Sequence, residues 1–364
     1  MRNPAVINKP SPIQDARPTR SGVSVIIKAL NEEKNICAAM ESALAAVAEF
    51  GGEVILADSH SADGTVELAS KYPVRVVQLA NPQERCCGVG PQLGYQHSHG
   101  EYIYLMDGDM RLNPGFLRQG LAFLAQHPEA AGVGGRLIEL NTESLEYRER
   151  GLRAAGHLSA GEVDRLDGGG LYRRLAIDEV GYLSDRNLHG YEEFELAARL
   201  RAAGWKLWRI PVDAVTHRGH DAPPYRLLLR RWRSHYVYGA GELVRASLGQ
   251  PSMRLVLRGV RELRLYAAVL AWWVALLTVP FWPLGVAQRA ACFAGLALAP
   301  LAIMFWRKRS IERACYSVVS WCFNAAGLAC GVLRKRLPPR SRIASRVLRE
   351  PMEPSPATRH EHLA

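Results

Sequence analysis

Hydrophobic and polar positions divide the chain into two parts. From about residue 23 to residue 220, short apolar runs rich in β-branched and aromatic residues alternate with longer segments of helical periodicity. This alternation predicts strands and helices in turn, and four such β–α units predict a parallel, right-handed α/β sheet. From residue 266 onwards, apolar segments of membrane-spanning length follow one another. The chain is therefore expected to combine an α/β domain with C-terminal membrane helices.

Two carboxylates follow one of the predicted strands. The apolar run Tyr102–Met106 ends in Asp107, Gly108 and Asp109. Ligands of open α/β sheets bind beyond the carboxyl ends of the strands, so both carboxylates are expected to face a cleft. Carboxylates this close repel each other unless a cation such as Mg²⁺ or Mn²⁺ neutralises them. The alternative is a surface turn, since Asp-Gly is common in turns.

Two earlier strands end in polar loops of the same kind. The apolar runs at residues 23–27 and 53–57 each precede a loop and a helix. The residues of interest in these loops are Ala29, Asn31, Glu32, Asp58 and Asp63. Asn31 is expected to cap the first helix, and Asp63 with Gly64 could form only a turn and a cap. A repeated strand, acidic loop and helix is nevertheless the arrangement that a nucleotide site at strand ends requires.

Composition and charge narrow the class of protein. The chain has 364 residues, of which 48% are hydrophobic, so it can bury a sizeable core. Its net charge of +11 suits either nucleic acid or anionic lipid, and most of the surplus lies late in the chain. Seven cysteines, including Cys86 and Cys87, do not indicate a disulfide framework or a zinc site. The stretch Met1 to Arg20 has no continuous apolar core and is not expected to be a secretory signal peptide.

The order of these motifs resembles the family 2 glycosyltransferases of the GT-A fold, over about residues 23–220. The matching pieces are Val25–Glu32, Asp58–Thr65 and Gly100–Asp109. In that family the first two loops hold the base and ribose of a sugar nucleotide, and the last carboxylate of Asp-x-Asp holds the metal on the diphosphate. The resemblance therefore implies a Rossmann-like mixed sheet, mainly parallel, with Mn²⁺ or Mg²⁺ as the cofactor. It also implies a nucleotide-sugar donor, with a UDP-sugar favoured.

The resemblance also assigns residues to the donor and the metal. Those assigned to the donor are Ala29, Asn31, Glu32, Asp58, Asp63, Asp107 and Gly108, and Asp109 is assigned to the metal. One departure lies at Gly90–Gly94, where many relatives have Ala-Arg-Asn before a glycine. The arginine of that pattern is missing here, and Arg85 is the candidate to replace it.

A second group of acids, Glu192, Glu193 and Glu195, lies at the start of a predicted helix. On a helix Glu192 and Glu195 share one face and Glu193 lies on another. A charged helix start favoured by the helix dipole explains Glu192 and Glu195 but does not single out Glu193. The family pattern here is Glu-Asp, followed by a leucine and an arginine, so the resemblance implies that Glu193 is the general base on the acceptor hydroxyl. With one candidate base and no evident covalent nucleophile, a single displacement with inversion is expected.

Two histidines, His217 and His220, follow the last predicted strand, Gly204–Ile210. A histidine in a loop is more often structural than a metal ligand. In related enzymes a histidine at this point lies near the diphosphate. The resemblance therefore assigns His217 and His220 to the metal shell or to the leaving group.

An arginine-rich and aromatic stretch, Tyr225–Arg264, leads into the apolar segments. Its first part, Tyr225–Arg245, could bind single-stranded nucleic acid, but a basic amphipathic helix at a lipid surface is favoured because apolar segments follow. The spans Tyr266–Gly285 and Val286–Trp306 are expected to form a hairpin with both ends in the cytoplasm, by the positive-inside rule. The third segment, Ala314–Leu333, is expected to be interfacial or re-entrant. A buried helical bundle is the alternative for all three segments.

These patterns predict six consecutive regions. By residue number they are a flexible N-terminal tail (1–20), a GT-A domain (21–245), a basic juxtamembrane helix (246–265), a transmembrane hairpin (266–306), a third apolar helix (311–336) and a disordered tail (337–364). The protein is expected to lie in a bacterial inner (plasma) membrane with its catalytic domain in the cytoplasm.

The predicted function is metal-dependent, inverting sugar transfer in surface polysaccharide or glycolipid assembly. The acceptor is expected to be lipid-linked or a growing glycan, because no flexible linker separates the domain from the first span. Membrane lipids are expected partners, and nucleic acid is not. The competing hypothesis is a non-catalytic basic protein that binds membranes or nucleic acid.

Overall fold

The computed structural model describes residues 22–140, 159–217 and 223–351. Within these ranges the strands are β1 (Val23–Ala29), β2 (Glu53–Asp58), β3 (Arg75–Leu79), β4 (Tyr102–Asp107), β5 (Met110–Leu112), β6 (Ala130–Glu139), β7 (Gly161–Val163), β8 (Gly170–Arg173), β9 (Lys206–His217) and β10 (Ser345–Arg349). The α-helices are α1 (Ile36–Val47), α2 (Thr65–Ala69), α3 (Val89–Gln96), α4 (Phe116–Gln126), α5 (Arg174–Val180), α6 (Glu192–Ala202), α7 (Pro224–Arg233), α8 (Gly239–Ser247), α9 (Met253–Gly259), α10 (Glu262–Thr278), α11 (Val286–Lys308) and α12 (Ile311–Leu333).

The strands form one mixed sheet in the order β10-β3-β2-β1-β4-β8-β6-β9-β5, with β7 paired to β9. Strands β3, β2, β1 and β4 run parallel, as the alternating strand and helix pattern predicts. Strand β8 then pairs antiparallel with both β4 and β6, and β10 pairs antiparallel with β3. The longest pairings, β1–β2, β1–β4 and β6–β9, are parallel. The predicted mixed, mainly parallel α/β sheet is therefore confirmed.

Strand β1 lies inside the sheet and sets the position of the loops at its carboxyl end. Its residues Val25, Ile26 and Ile27 are fully buried, because helices cover both faces of the sheet. The register of β1 with β4 places Lys28 opposite Asp107, and its register with β2 places Ala29 opposite Asp58. The ends of three strands therefore meet at one edge.

Three C-terminal helices, α10, α11 and α12, are long and apolar enough to cross a membrane. Helices α10 and α11 pack as a hairpin in which Nε1 of Trp272 donates to the carbonyl of Leu296 at 2.9 Å. Many of their apolar side chains are exposed, such as Phe281 and Val286 near the turn of the hairpin. Exposed apolar side chains of this kind are expected where helices lie in the apolar interior of a membrane.

Helix α12 lies along helices α7 and α8 of the preceding part of the chain. Tyr316 near its start contacts the ring of Tyr225 on α7. Near its end, a Cβ atom on Gly331 would lie 2.2 Å from the carbonyl oxygen of Tyr238. Only glycine therefore allows the two backbones to come so close. Whether α12 is interfacial stays a prediction.

The C-terminal tail differs from the prediction. Residues 337–364 were expected to be disordered, whereas Ser345–Arg349 forms strand β10 on the edge of the sheet. Before it, Ile343 is fully buried, and its backbone N–H donates to Oε1 of Gln96 at 2.8 Å. These backbone hydrogen bonds order the segment, so the prediction is wrong for these residues. Residues 352–364 and the tail 1–20 lie outside the described residues.

The expected basic helix at residues 246–265 is also not a single helix. Helix α8 ends at Ser247, α9 covers Met253–Gly259, and α10 begins at Glu262. The first break lies at Leu248 and Gly249, where Leu248 is extended and Gly249 has a left-handed φ of 71° that glycine adopts readily. This stretch therefore contains the end of α8, all of α9 and the start of α10, joined by turns.

Candidate active site

A cleft of about 930 Å³ opens at the carboxyl ends of β1 and β4. Its volume is within the range of sites for small molecules. The residues singled out from the sequence that line it are Ala29, Glu32, Asp107, Gly108, Asp109, Glu193 and His217. The structure thus brings together residues from the ends of β1, β4 and β9 and from the start of α6.

Asn31, Asp58 and Asp63 are not among the described residues that line this cleft. Asp58 is fully buried, and its carboxylate accepts hydrogen bonds from the backbone N–H of Ser61 at 3.0 Å and from the side chain of Gln78 at 2.9 Å. Both partners belong to the loop and strand beside it. Asp58 therefore orders the loop after β2.

Asn31 does not cap helix α1 as expected, because that helix begins five residues later at Ile36. Asn31 has a left-handed backbone with a φ of 59°, and its side chain accepts a hydrogen bond from the N–H of Ala62 at 2.8 Å. Its own N–H donates to Oγ of Ser61 at 2.9 Å. Asn31 therefore joins the loops after β1 and β2. His220 lies outside the described residues.

Asp107 is held by a lysine from the neighbouring strand. Nζ of Lys28 lies 3.0 Å from Oδ1 of Asp107. Gly108 follows, and a Cβ atom there would lie 2.9 Å from Cγ of Glu32. The glycine therefore lets the loops after β1 and β4 come together. Burial raises the pKa of Asp107, although Lys28 opposes this effect.

Asp109 lies against the histidine at the end of β9. Oδ2 of Asp109 is 3.2 Å from Nε2 of His217, and Oε2 of Glu139 is 2.7 Å from Nδ1 of the same ring. Burial alone would lower the pKa of His217, but the hydrogen bonds with Asp109 and Glu139 outweigh it and raise this pKa to about 10. The protonated ring therefore occupies a position between two carboxylates where a cation is favoured.

When a divalent ion displaces the proton on Nε2 of His217, this nitrogen and the carboxylate of Asp109 form a donor set that fits an ion shared with a diphosphate. Among the described residues, no group of three His, Cys, Asp or Glu side chains is arranged to enclose a metal. Mg²⁺ is usually held by one or two carboxylates together with phosphate oxygens and water, so two protein ligands suffice. Glu139 on the other ring nitrogen of His217 is the kind of partner that metal-binding histidines have.

Two acids at the start of helix α6 lie close to the same lysine. Nζ of Lys28 lies 3.1 Å from Oε1 of Glu192 and 4.0 Å from Oε1 of Glu193. The expectation that Glu192 lies with Glu195 and away from Glu193 is wrong, because both of the first two acids face Lys28. Glu195 is buried instead and pairs with Arg199, with a shortest distance of 2.7 Å.

Glu193 carries a strongly perturbed carboxyl group. Burial raises the pKa of Glu193 to about 8, and the nearby Glu192 adds to this effect while Lys28 opposes it. For Lys28, burial alone would lower the pKa, but Asp107 and Glu192 outweigh it and raise this pKa well above the usual value. One cation therefore lies among three acids.

Sequence reasoning did not identify Lys28 or Glu139 as residues of the cleft. It also did not identify Glu192 as a partner of Lys28. Lys28 is a single charge at the end of an otherwise apolar strand. Glu139 ends strand β6 in the way that Asp107 ends β4. A charged residue at the end of a strand could therefore have indicated that Lys28 and Glu139 belong to the site.

Arg85, the candidate to replace the missing arginine, lines the cleft. Its side chain donates to the carbonyls of Ser59 and His60, at 2.9 and 2.8 Å. These bonds fix the arginine to the loop after β2. A positive charge is therefore present on the wall formed by the first loops.

Comparison with known proteins gives a family for the first part of the α/β domain. The model described as glycosyl transferase family 2 matches residues 24–180. An uncharacterized protein of Mycobacterium tuberculosis is 31% identical over 112 residues, which are 29% of this chain and 32% of that protein. Glucomannan 4-beta-mannosyltransferase 2 of Arabidopsis thaliana is 31% identical over 118 residues, which are 30% of this chain and 22% of that protein. The chain thus spans about a third or less of these curated relatives.

A solved structure shows the same fold over most of the chain. It is a mannosyltransferase from Pyrobaculum calidifontis in complex with GDP-Man and Mn²⁺, with a TM-score of 0.53 and 16% identity. The match covers 87% of this chain and 88% of that one. Together, the matched family model and the shared sheet show that residues 24–180 are a glycosyl transferase family 2 domain of the GT-A fold.

Proposed function

We propose that the protein transfers a sugar from a nucleotide-sugar donor to an acceptor hydroxyl, with inversion and with a divalent metal. One observation carries the proposal. The pair of Asp109 and His217 lines the same cleft as Glu193, and this cleft is large enough for a sugar nucleotide. We assign Asp109 and His217 to the departing diphosphate and Glu193 to the acceptor.

The proposed donor side is built by the loops after β1, β2 and β4. Ala29, Glu32, Asp107 and Gly108 line it, and Arg85 adds a positive charge near the phosphates. The side chains of Asn31, Asp58 and Asp63 do not line the cleft. They accept hydrogen bonds from backbone N–H groups of these loops and so order them. The donor specificity then depends on loop shape more than on a single base contact.

Asp109 and His217 would hold the metal, and His220 is a further candidate. When bound, Mn²⁺ or Mg²⁺ supplies positive charge that stabilises the departing nucleoside diphosphate. Glu139 keeps Nε2 of His217 directed at the metal position by accepting from Nδ1. The Pyrobaculum protein, which shares the fold, is described with GDP-Man and Mn²⁺, which supports this choice of ion and donor class.

Glu193 is the proposed general base. Its ionised carboxylate takes the proton of the acceptor hydroxyl as that oxygen attacks the anomeric carbon from the side opposite the diphosphate. A single displacement of this kind inverts the anomeric configuration. Lys28 stabilises the ionised state of Glu193 from 4.0 Å away. NMR of the product tests the stereochemistry, and a retained configuration would refute this role.

The acceptor is proposed to be lipid-linked or a growing glycan at the cytoplasmic face of a bacterial inner membrane. Support comes from the helices long enough to cross a membrane and from the cleft lining, which includes Arg233, Val260 and Glu262 beside the first of them. The cleft therefore lies within reach of the headgroup layer if α10 crosses it. Membrane lipids are proposed partners in this position.

The decisive experiment uses the full chain purified in detergent, with Mn²⁺ and with UDP-, GDP- and dTDP-sugars in turn. We expect donor turnover by the wild type, and its loss in Asp109→Asn. Asp213→Asn is the matched control, because that exposed aspartate lies on the same strand as His217 but does not line the cleft. No turnover of any donor by the wild type would refute the proposal and favour a non-catalytic protein.

A further inference from the structure

A second cavity lies where the end of helix α12 meets the domain. It has a volume of about 110 Å³ and shares Gln83, Cys86 and His189 with the wall of the large cleft. The charged side chains that line it are Glu84, Arg186, Glu242, Arg245, Arg334, Lys335 and Arg336. Five of these seven are cationic, so the cavity is strongly basic.

The two carboxylates of the cavity are already neutralised. Glu84 pairs with Arg186. Glu242 accepts hydrogen bonds from the backbone N–H and from Nδ1 of His189, both at 2.9 Å, and lies 3.7 Å from Nη1 of Arg334. These acids therefore do not compensate the remaining cations.

Three guanidinium groups of the cavity have a buried nitrogen that lacks an acceptor. They are Nε of Arg186, Nη1 of Arg245 and Nε of Arg336, none of which has a hydrogen-bond partner among the residues described. Arg186 and Arg336 each have another pairing, with Glu84 and Asp185. For Arg245 the described part of the chain shows neither an ion pair nor a side-chain hydrogen bond. A buried charge without a partner is costly, so an anion is expected here.

We propose that this cavity binds a phosphate group. The planar guanidinium fork matches the spacing of phosphate oxygens, and several arginines around one small cavity are typical of phosphate recognition. The space equals that of three to four water molecules, each of which occupies roughly 30 Å³ of liquid. The phosphate comes either from an anionic phospholipid, since basic pockets beside membrane helices bind such headgroups, or from a soluble ion. The proposal does not depend on the transferase activity.

The test uses the full chain, freed of lipid in neutral detergent and phosphate-free buffer. Its thermal unfolding is followed with added inorganic phosphate, with phosphatidylglycerol, or with phosphatidylcholine of the same acyl chains. The variant is Arg245→Gln, and the matched control is Arg258→Gln, an exposed arginine of α9 that does not line the cavity. We expect the ligand to raise the midpoint of the wild type and of the control, and its apparent affinity to fall at least tenfold in Arg245→Gln.

The pattern of the shifts identifies the source of the phosphate. A shift with inorganic phosphate that Arg245→Gln loses supports a site for a soluble ion. A shift with phosphatidylglycerol alone, again lost in Arg245→Gln, supports a lipid headgroup site. Without ligand, Arg245→Gln should be as stable as the wild type or more so, because it removes a charged group whose buried Nη1 has no acceptor among the described residues. The same shift in Arg245→Gln as in the wild type, or no shift in the wild type, overturns the proposal.

Discussion

The ammonium group of Lys28 lies 3.1 Å from Oε1 of Glu192, a residue 164 positions later in the chain. The same nitrogen lies 3.0 Å from Oδ1 of Asp107. The positive charge of Lys28 on β1 therefore contacts acids of both strand β4 and helix α6. Because α6 also carries Glu193, this charge fixes the proposed base relative to the loop of Asp107 and Asp109.

Replacing Lys28 by methionine is expected to weaken the base. The change removes the cation that opposes the raised pKa of Glu193, so less of this carboxyl is ionised at neutral pH. We expect kcat/KM at neutral pH to fall about tenfold or more, and the acid limb of the pH profile to move to higher pH. Lys34→Met, at an exposed lysine that does not line the cleft, is the control. An unmoved limb in a folded Lys28→Met protein would contradict this role.

The wild-type pH profile should report Glu193 itself. A general base acts in its ionised form, and burial raises the pKa of this carboxyl to about 8. Activity is therefore expected to rise with pH through about 8 and to be low where the group is protonated. Measuring kcat/KM against pH with a saturating metal ion checks the sign and the position of the limb.

The substitution Glu193→Gln removes the base and keeps the size of the side chain. We expect kcat to fall by about 10²–10⁴-fold, with donor binding unchanged because Glu193 is assigned to the acceptor and not to the donor. Glu67→Gln, at an exposed position on α2, is the control and should keep full activity. Equal losses of donor affinity and turnover in Glu193→Gln would argue for a structural role instead.

Glu139 is expected to act on the metal through His217. Glu139→Gln weakens the partner of Nδ1, so affinity for Mn²⁺ in the presence of a nucleoside diphosphate should fall about 10–100-fold. Calorimetric titration of Mn²⁺ measures this affinity without turnover. Glu162→Gln, at an exposed residue of β7, should leave it unchanged. If Glu139→Gln bound Mn²⁺ as tightly as the wild type, Glu139 would have no influence on the metal site.

The close approach of α12 to the domain can be tested with two glycines. A Cβ atom on Gly331 would lie 2.2 Å from the carbonyl oxygen of Tyr238, whereas one on Gly295 of α11 would meet no atom within 4 Å. We expect Gly331→Ala to destabilise the protein by about 1–3 kcal/mol through overpacking. Gly295→Ala should be neutral or stabilising, by up to about 1 kcal/mol, because alanine favours the helix. Thermal unfolding in detergent compares them, and equal midpoints would show that α12 does not pack here.

The sequence predicts the parallel half of the sheet and the acids at its strand ends because both depend on short-range patterns. Buried apolar runs followed by Asp58 or Asp107 are visible without a structure. The partners of those acids are not visible in this way. Lys28 meets Glu192, and His217 meets Glu139, only after distant segments have come together.

Strand β10 was missed for a different physical reason. It lies on the edge of the sheet, and its residues Arg346, Val347 and Leu348 are exposed. A strand with little burial has no alternation of apolar and polar residues to reveal it. Its stability comes instead from backbone hydrogen bonds with β3, which do not require a particular pattern of side chains.

The return of the chain to the sheet limits how it can thread through a bilayer. Strand β10 belongs to the same sheet as β1, although α10, α11 and α12 lie between them in the chain. A polypeptide that leaves a folded body on one side of a membrane and rejoins that body must cross an even number of times. Three helices of spanning length therefore cannot all be crossings. If α10 and α11 cross the membrane and return, α12 lies on the same side as the α/β domain. Strand β10 can then join the sheet only in a chain whose helices have been inserted in this way.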